Sequence, residues 1–523
     1  MHIAQGLNKT VRMYGENTAT VFVPGKRSVS WGEFRERAGR LAGALRELGL
    51  DPGARVAILA LNSDRYLECY YGLPWAGLIP VPINTRLAVE EMVYIVNDAG
   101  CEALLVDEHF QHLLPTMEGR LETVRRVVFF GDGAPQDGAF PEGALDYEAL
   151  LSAAGAPPPM GDGEGALAAI FYTGGTTGRP KGVMLSHRNL IVSAMSLVMD
   201  LEVEPGTIYL HTAPTFHVGD SAMTFAVTMK GGTHVVIPRF DPDHFLETVQ
   251  THRVTHCFLV PTMINMIVNH PRLEAYDLSS LRLVHYAGSP IATALLATAM
   301  EALPGCQFSQ GYGLTETSPV ITGLAPRFHT FTGPHAGKIA SAGLPAHHAE
   351  VNIVLDDGGT APVGTVGEIV TRGLHVMMGY WNDAELSART LRDGWMHTGD
   401  LGTLDEDGFL YVVDRLKDMI IIGGENVYSA EVEGVLHKHP DVGMCAVIGV
   451  PDKKWGERVH AIVVPKPERA PGEAELLDHC RQHIAGYKCP TSIQIREEPL
   501  PLSGAGKILK HELRRDYQAQ AGG

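Results

Sequence analysis

The sequence lacks several features that would place it in a common class of protein. No apolar run reaches the about 18 residues that a membrane span requires, and no basic segment followed by an apolar stretch suggests a secretory signal. The seven cysteines are odd in number and form no CxxC pair, so we expect reduced thiols in a cytoplasmic protein and not a disulfide scaffold. A GxSxG nucleophile turn and a GxxxxGK phosphate loop are also absent.

Positive charge is also scarce. Lys and Arg number 42 against 60 Asp and Glu, which gives a net charge of −18. This balance argues against a general nucleic-acid binder, which would show a basic patch. Any polyanion must therefore be held by local donors against an unfavourable overall field. The 45% apolar and 20% charged residues are typical of a globular protein, and 523 residues suffice for several domains.

Short apolar runs alternate with helical patterns through most of the chain. The segment from Thr85 to Gly100 predicts a helix, with Thr85 as N-cap and Gly100 as stop. Strands separated by helices predict an α/β fold with parallel sheets. The predicted strands are residues 55–61, 104–106, 127–130, 166–171, 234–237, 257–260 and 283–286.

The pattern changes after about Gly343. Turn signals such as residues 356–359 and 405–408 follow one another closely, which indicates a β-rich subdomain. A charged string at residues 414–418 then precedes about a hundred residues of new α/β alternation, enough for a small domain. We therefore predict a large N-terminal domain, 1–415, and a small α+β C-terminal domain, 416–523.

The strongest local motif is the segment from Tyr172 to Gly182, which follows a predicted strand. Three glycines before Lys181 allow backbone N–H groups to converge, and three threonine hydroxyls with Lys181 add further donors. Such a nest suits phosphate oxygens. The alternative is an ordinary Gly/Thr surface loop, but the density of Thr, Gly and Lys favours phosphate binding.

Four further segments are individually ambiguous. In residues 310–317, Tyr312 could stack on a base, Thr315 could donate to a phosphate and Glu316 could hold Mg²⁺, although a strand-to-helix turn capped by Thr315 explains the pattern equally well. In residues 395–401, Asp400 on a tight turn could accept both ribose hydroxyls or form an Asx-turn. Residues 414–427 contain a glycine pair that permits close backbone approach, and residues 501–508 present one lysine on a glycine loop.

Taken together and in this order, these motifs resemble the adenylate-forming superfamily, which includes acyl- and aryl-CoA synthetases, luciferases and peptide-synthetase adenylation domains. The resemblance covers nearly the whole chain, and residues 172–182 and 414–427 are its most specific parts. It implies two half-reactions. A carboxylate attacks the α-phosphorus of ATP to give an acyl-adenylate, and a thiol, usually that of coenzyme A, then displaces AMP.

The resemblance also implies roles for individual residues. Thr315 would contact the α-phosphate, Glu316 would bind Mg²⁺, and Lys507 would reach both the acyl carboxylate and the α-phosphate. Asp400 and Arg415 would hold the ribose. The departing phosphates would be held by Thr173, Gly174, Gly175, Thr176, Thr177 and Lys181, and the adenine by Gly288, Ser289, Pro290, Gln310, Gly311 and Tyr312.

The resemblance further implies that the small domain rotates between the two steps. Lys417 falls at the hinge position. Rotation would withdraw Lys507 and bring in Gly423 and Gly424 to form the channel for coenzyme A. One departure from the family pattern is Gly174, where Ser is common, and we expect only a modest effect on ATP affinity.

The acid itself is less well defined. His217 matches an aromatic or His position beside the acyl carboxylate in CoA ligases, with a core-packed histidine as the alternative. The plausible pocket walls are mostly apolar or small, namely Val218, Tyr286, Gly288, Gly311, Gly313 and Val320. An uncharged acyl tail or a flat ring therefore fits better than a second carboxylate. Since an apolar pocket discriminates by only ~1–3 kcal/mol per methylene, chain length stays open.

These inferences predict an AMP-forming acyl-CoA synthetase that uses ATP, Mg²⁺ and coenzyme A. Its expected substrate is a small-molecule carboxylic acid, either a medium- to long-chain fatty acid or another apolar acid. The alternatives are an aryl-acid CoA ligase, an adenylating enzyme that loads a carrier protein, a luciferase and a catalytically dead member of the fold. Asp220 is misplaced as a carboxylate for an amino-acid ammonium. We expect no nucleic-acid partner and no transmembrane segment, and a homodimer is compatible with the prediction.

Overall fold

The structure is a computed structural model that describes residues 2–131, 144–161, 163–174, 179–423, 425–502 and 508–521. It confirms a mixed α/β fold with parallel sheets. Within the described residues, no helix combines the length and apolar character that crossing a membrane requires.

The strands up to residue 345 contribute to three sheets. They are β1 (Thr18–Phe22), β2 (Arg27–Ser30), β3 (Arg55–Leu59), β4 (Ile79–Pro82), β5 (Cys101–Val106), β6 (Arg126–Phe129), β7 (Leu145–Asp146), β8 (Leu167–Thr173), β9 (Lys181–Ser186), β10 (Ile208–His211), β11 (Thr233–Val236), β12 (His256–Leu259), β13 (Leu283–Tyr286), β14 (Gln307–Tyr312), β15 (Thr322–Leu324) and β16 (Leu344–Pro345).

The remaining strands belong mainly to two further sheets. They are β17 (Ala349–Val354), β18 (Gly367–Gly373), β19 (Gly379–Tyr380), β20 (Leu391–Arg392), β21 (Trp395–Leu404), β22 (Leu410–Arg415), β23 (Ile420–Ile422), β24 (Glu425–Val427), β25 (Val442–Asp452), β26 (Gly456–Pro465) and β27 (Ser492–Ile495).

Helices lie between the strands and cover the sheets. The α-helices are α1 (Ile3–Tyr14), α2 (Trp31–Glu47), α3 (Asp64–Trp75), α4 (Val89–Asp98), α5 (Leu114–Met117), α6 (Tyr147–Ala153), α7 (His187–Asp200), α8 (Val218–Lys230), α9 (Pro242–His252), α10 (Pro261–Val268), α11 (Thr293–Ala302), α12 (Ala384–Thr390), α13 (Ser429–Leu436), α14 (Glu473–His483) and α15 (Lys510–Ala521). Short 3₁₀ turns cover Gln111–Leu113, Leu273–Ala275, Thr315–Thr317, Pro326–Phe328, Ala336–Ala340 and Gly486–Lys488.

The largest sheet has nine strands in the order β16-β15-β14-β13-β12-β10-β11-β1-β2. Its six central strands run parallel, and at the edges β2 pairs antiparallel with β1, β15 with β14, and β16 with β15. Every residue of β12 and β13 is buried, as expected where helices cover both faces of a parallel sheet. The carboxyl ends of β12, β13 and β14 therefore meet at one edge, where α/β proteins commonly bind ligands.

The other sheets are smaller. A second parallel sheet has the order β4-β3-β5-β6-β7, and β8, β9 and β19 form a three-stranded antiparallel sheet. Strands β17, β18 and β20 to β22 make an antiparallel sheet, which confirms the β-rich region predicted after Gly343. Strands β23 to β27 form a separate sheet, and the domain boundary near Leu416 stays a prediction.

Most predicted strands are found within a few residues of their expected bounds, and 283–286 coincides with β13. The predicted start of one helix is wrong. We expected Thr85 as its N-cap, whereas α4 begins at Val89 and has Ala88 at the N-cap position. The Asn84 side chain accepts from the backbone N–H of Arg86 at 3.0 Å, which holds this segment in a turn. Gly100 has a φ of 60° just after the helix, as expected for a helix stop.

Candidate active site

The predicted phosphate loop joins β8 to β9. Thr173 ends β8 and pairs with Lys181, the first residue of β9, so the two residues flank the loop. Gly174 is exposed and has open space around its α-carbon. Gly175, Thr176 and Thr177 lie outside the described residues. The strand pairing thus fixes the base of the loop and holds Lys181 beside it.

Lys181 and Glu316 approach the same tyrosine. The Nζ of Lys181 lies 5.9 Å from the ring centroid of Tyr380, and the Tyr380 hydroxyl donates to Oε1 of Glu316 at 2.8 Å. Burial, reinforced by the Glu316 carboxylate, raises the pKa of Tyr380, so its hydroxyl stays protonated and donates. Tyr380 lies on β19, which pairs with β9. Sequence reasoning missed this residue because it belongs to none of the motifs.

The backbone also fixes the Glu316 segment. Thr315 begins a 3₁₀ turn that the Thr317 hydroxyl closes by accepting from the Leu314 N–H at 2.9 Å. The Glu316 carbonyl accepts from the N–H of Met377 at 2.9 Å. The predicted turn at Thr315 is present, but Leu314 occupies its N-cap position.

A single carboxylate is a reasonable partner for Mg²⁺ here. Within the described ranges, the residues that bring three potential metal-ligand atoms within 4.8 Å of one another are Asp107, Glu108 and His109, and Glu316 is not among them. Mg²⁺ usually takes one or two carboxylates and completes its coordination with water and substrate phosphates. Glu316, half-buried near a predicted phosphate loop, fits that donor set.

Tyr312, Asp400 and Arg415 form a second group. The Tyr312 hydroxyl donates to Oδ2 of Asp400 at 2.9 Å, and Nε of Arg415 lies 3.6 Å from Oδ1 of Asp400. Asp400 and Arg415 are paired across β21 and β22. Asp400 therefore lies within a strand, and the tight turn predicted for it is wrong. The antiparallel pairing holds the carboxylate in place instead.

The predicted adenine segments are neighbours. Gly288, Ser289 and Pro290 follow β13, and Gln310, Gly311 and Tyr312 end the adjacent parallel strand β14. Gly288 has a φ of 92°, which favours glycine and turns the chain at the edge of the sheet.

The predicted acyl-pocket residues divide between two faces of the sheet. His217 is the N-cap residue of α8, and Val218 begins that helix. A Cβ at Gly219 would contact Phe258 of β12 at 3.7 Å, and a Cβ at Gly311 would lie 2.9 Å from Nε2 of His285. These contacts bring α8, β12, β13 and β14 together on one face.

Tyr286 lies on the opposite face, because consecutive strand residues point to opposite sides. Its hydroxyl bonds to Nε2 of His329 at 3.0 Å. Val320 is buried, and a Cβ at Gly313 would lie 1.8 Å from the Pro319 carbonyl oxygen, so packing alone requires glycine there.

His285 is a residue of this face that sequence reasoning missed. It is buried, and within the described residues its Nδ1 has no hydrogen-bond partner. Burial lowers its pKa to about 4, so the imidazole is neutral. The strand period of two could have indicated His285, since it shares a face with Gly311.

The predicted hinge lies between β22 and β23. Lys417 is exposed, and the N–H of the preceding Leu416 donates to the Gly399 carbonyl at 2.9 Å. Gly423 has a φ of 60°, and a Cβ there would lie 2.7 Å from the Trp455 ring, so a side chain would clash. Gly424 and Lys507 lie outside the described residues.

Comparison with known proteins places this geometry in a family context. Residues 7–381 match the AMP-binding enzyme family, and residues 431–507 match the AMP-binding enzyme C-terminal domain. A feruloyl-CoA synthase from Amycolatopsis sp is 40% identical over 95% of this chain and 96% of its own length. A long-chain-fatty-acid–CoA ligase from Thermus thermophilus is 35% identical over 94% of this chain and 91% of its own length. The structure of the anthranilate CoA ligase AuaEII with anthranoyl-AMP superposes with a TM-score of 0.90 and 27% identity. The match covers 100% of this chain and 98% of the AuaEII chain.

Proposed function

Because the chain belongs to the AMP-binding enzyme family of adenylate-forming enzymes and is an acid–thiol ligase, we propose a specific reaction for it. In this proposal, it activates an aromatic carboxylic acid with ATP and transfers the acyl group to coenzyme A. The observation that carries the substrate class is the 40% identity, over 95% of the chain, to a feruloyl-CoA synthase. Ferulate carries a flat, uncharged ring beyond its reacting carboxylate, which agrees with the small and apolar residues around α8 and β14.

In the proposed first step, an oxygen of the acid attacks the α-phosphorus of ATP and pyrophosphate leaves. A carboxylate is a poor acyl donor until one oxygen becomes part of a good leaving group, and such a transfer requires mainly positioning and charge stabilisation. Thr173, Gly174 and Lys181 would hold the departing phosphates together with the loop between them. This would supply local positive charge in a protein whose net charge is −18.

The remaining nucleotide contacts follow from the two groups of residues described above. Thr315 would donate to the α-phosphate, and Mg²⁺ held by Glu316 would neutralise charge on the phosphates. Asp400 and Arg415 would hold the ribose, with Tyr312 keeping the Asp400 carboxylate in place.

The adenine would lie against the ends of β13 and β14. Gly288, Ser289 and Pro290 would border it on one strand, with Gln310 and Gly311 on the other. His217 would lie beside the acid carboxylate.

In the proposed second step, the thiol of coenzyme A attacks the acyl carbon, a thioester forms and AMP leaves. Lys507, proposed for the first step only, would then be withdrawn by rotation about Lys417. Gly423 and Gly424 would border the channel for the pantetheine arm. Because glycine has no side chain, the arm could approach the backbone closely at these positions.

An amino acid is disfavoured as the substrate. The carboxylate nearest in sequence to His217 is that of Asp220, which is fully buried and already bonded to Tyr209 at 3.0 Å and His211 at 2.6 Å. It therefore has little capacity left for a substrate ammonium, which would need a carboxylate in the pocket.

A fatty acid is the second candidate. The 35% identity to a long-chain-fatty-acid–CoA ligase over 94% of this chain supports it. Both candidates share the adenylation chemistry and differ only in the tail that the pocket accepts.

The test is pyrophosphate release with MgATP across ferulate, indole-3-acetate, 2-aminobenzoate, octanoate and dodecanoate, with and without coenzyme A. The proposal predicts acid-dependent release, the largest kcat/KM with an aromatic acid, and AMP and thioester formation only when coenzyme A is added. A fatty acid as the best substrate would overturn the substrate class. Release without thioester formation would overturn coenzyme A as the acceptor.

A further inference from the structure

A line of polar side chains runs along the buried face of α8. Asp220, Thr224 and Thr228 are four residues apart and so lie on one side of the helix. They are fully buried or nearly so; Asp220 contacts His211 of β10, and Thr228 contacts His234 of β11. No part of the proposed chemistry uses these groups.

The side chains form a continuous hydrogen-bonded chain. Nδ1 of His211 lies 2.6 Å from Oδ2 of Asp220, and Nε2 of His211 lies 2.9 Å from Nδ1 of His234. Nε2 of His234 lies 3.1 Å from the Thr228 hydroxyl, which donates to the Thr224 carbonyl at 2.7 Å. The chain thus links both ends of α8 to two strands of the central sheet.

The last bond fixes the direction of the others. Because the Thr228 hydroxyl has one proton and gives it to the Thr224 carbonyl, it must accept from Nε2–H of His234. Burial, reinforced by His211, lowers the pKa of His234 well below its usual value, so that ring is neutral and Nδ1 is an acceptor. Nε2 of His211 must therefore carry a proton.

The Asp220 end needs one proton between Oδ2 of Asp220 and Nδ1 of His211, because two unprotonated acceptors 2.6 Å apart would repel each other. Burial and the neighbouring Asp220 raise the pKa of Tyr209, so its hydroxyl stays protonated and donates to Oδ1 of Asp220. A carboxylate that accepts from Tyr209 can still accept from Nδ1–H of His211. With that proton on Nδ1, His211 would be an imidazolium paired with a carboxylate, and this fully buried pair would be neutral overall.

The network begins in the same turn of α8 as the residues proposed to face the acid. His217 is three residues before Asp220, and its carbonyl accepts from the Ser221 N–H at 3.1 Å in the first turn of α8. Asn62 holds the preceding segment by accepting from the Thr215 N–H at 2.8 Å. The position of the first turn therefore depends on side chains from several distant elements.

We propose that Asp220, His211 and His234 are positioning residues, which hold the first turn of α8 so that His217 and Val218 keep their place beside the acid, and that His211 carries a proton on both ring nitrogens. The positioning part rests on the function proposed above, because it assumes that this turn borders the acid. The protonation of His211 does not depend on that assumption.

Two substitutions at one position test the positioning. Asp220→Ala leaves His211 without its acceptor, and we expect the KM for the best acid to rise about tenfold while the KM for ATP changes less than about twofold. Asp220→Asn should restore the acid KM to within about threefold of wild type, since its carbonyl accepts from Tyr209 and its amide donates to a neutral His211.

Several outcomes would overturn the positioning role. An unchanged acid KM in Asp220→Ala, equal losses for acid and ATP, or no rescue by Asp220→Asn would each do so, provided that the wild-type enzyme activates an acid. A wild-type enzyme that activates no acid would instead contradict the proposed function.

Neutron diffraction from deuterated wild-type crystals tests the protonation without any variant or activity. The proposal predicts deuterium on both Nδ1 and Nε2 of His211 and on Nε2 alone of His234. A deuteron on Asp220, or a singly protonated His211, would overturn it.

Discussion

Tyr380 provides the sharpest test of the region proposed to hold Mg²⁺ and the ATP phosphates. Its hydroxyl donates to Glu316 at 2.8 Å, and its ring lies beside Lys181. Tyr380→Phe removes the hydroxyl and keeps the ring. Loss of a hydrogen bond to a charged group costs about 1.5–3 kcal/mol, and the lower end applies because Glu316 is only half-buried.

The same bond orients the carboxylate that would hold Mg²⁺. Removing a hydrogen-bond partner of a metal ligand commonly lowers metal affinity by about 10–100-fold. We expect the Mg²⁺ concentration for half-maximal pyrophosphate release to rise about tenfold in Tyr380→Phe, with the acid KM unchanged. Tyr380→Leu also removes the ring, and loss of its cation–π contact, worth about 0.5–1 kcal/mol, should raise the KM for ATP a further two- to fivefold.

Tyr147→Phe is the matched control. The Tyr147 hydroxyl is buried and donates to Glu68 at 2.6 Å, outside the proposed site. This variant should lose at least as much thermal stability, because both Tyr147 and Glu68 are buried, but keep the wild-type response to Mg²⁺. If the two Phe variants respond to Mg²⁺ alike, the reasoning about Glu316 is refuted.

Four further predictions concern the pocket, the domains and the effect of acid. Gly311→Ala places a Cβ 2.9 Å from His285, and overpacking of about 1–3 kcal/mol should lower kcat/KM for the acid about tenfold; unchanged kinetics would contradict the assigned pocket face. Lys507→Ala should abolish most adenylation but spare thioester formation from supplied acyl-adenylate, whereas equal losses would refute its single role. Lys417→Pro should stall the hinge and spare adenylation, and a normal rate of thioester formation would exclude Lys417 as the pivot. Burial lowers the pKa of His285 and His329 to about 4, so on acidification these histidines bind protons in the unfolded chain before they do so in the folded protein. Thermal unfolding should therefore show a loss of stability as pH falls from about 6.5 to 4. A constant midpoint of thermal unfolding down to pH 5 would argue against neutral buried histidines.

The parallel sheets could be predicted well from the sequence. Strands such as β12 and β13 are buried on both faces and therefore appear as mainly apolar runs bounded by turn residues. Local signals are sufficient for such elements. The start of α4 could not be predicted, because the Asn84 side chain stabilises a competing turn that composition does not reveal.

The site could be predicted only where a motif marks it. Glu316 and Asp400 stood out in their motifs, but their partners Tyr380 and Tyr312 are 64 and 88 residues away in sequence. The strand position of Asp400 also depends on pairing with β22. Such long-range contacts are set by the packing of separate sheets, and no local pattern encodes them.

Asp220 illustrates the same limit in the protein interior. Its place close to His217 in the sequence suggests a carboxylate near the substrate. In the structure, however, Asp220 is buried in the core and bonded to His211 and Tyr209. Only the periodic spacing of polar residues on α8 hints at this arrangement, and their partners on β10 and β11 become evident only in the folded structure.

Exchange of labelled pyrophosphate into ATP, measured without coenzyme A, tests the central claim most directly because it reports reversible formation of an acyl-adenylate. An enzyme that adenylates aromatic acids should show exchange that requires both Mg²⁺ and a carboxylic acid and that is fastest with an aromatic acid such as ferulate. Exchange that is independent of the acid, or no exchange with any aromatic or fatty acid, would contradict it.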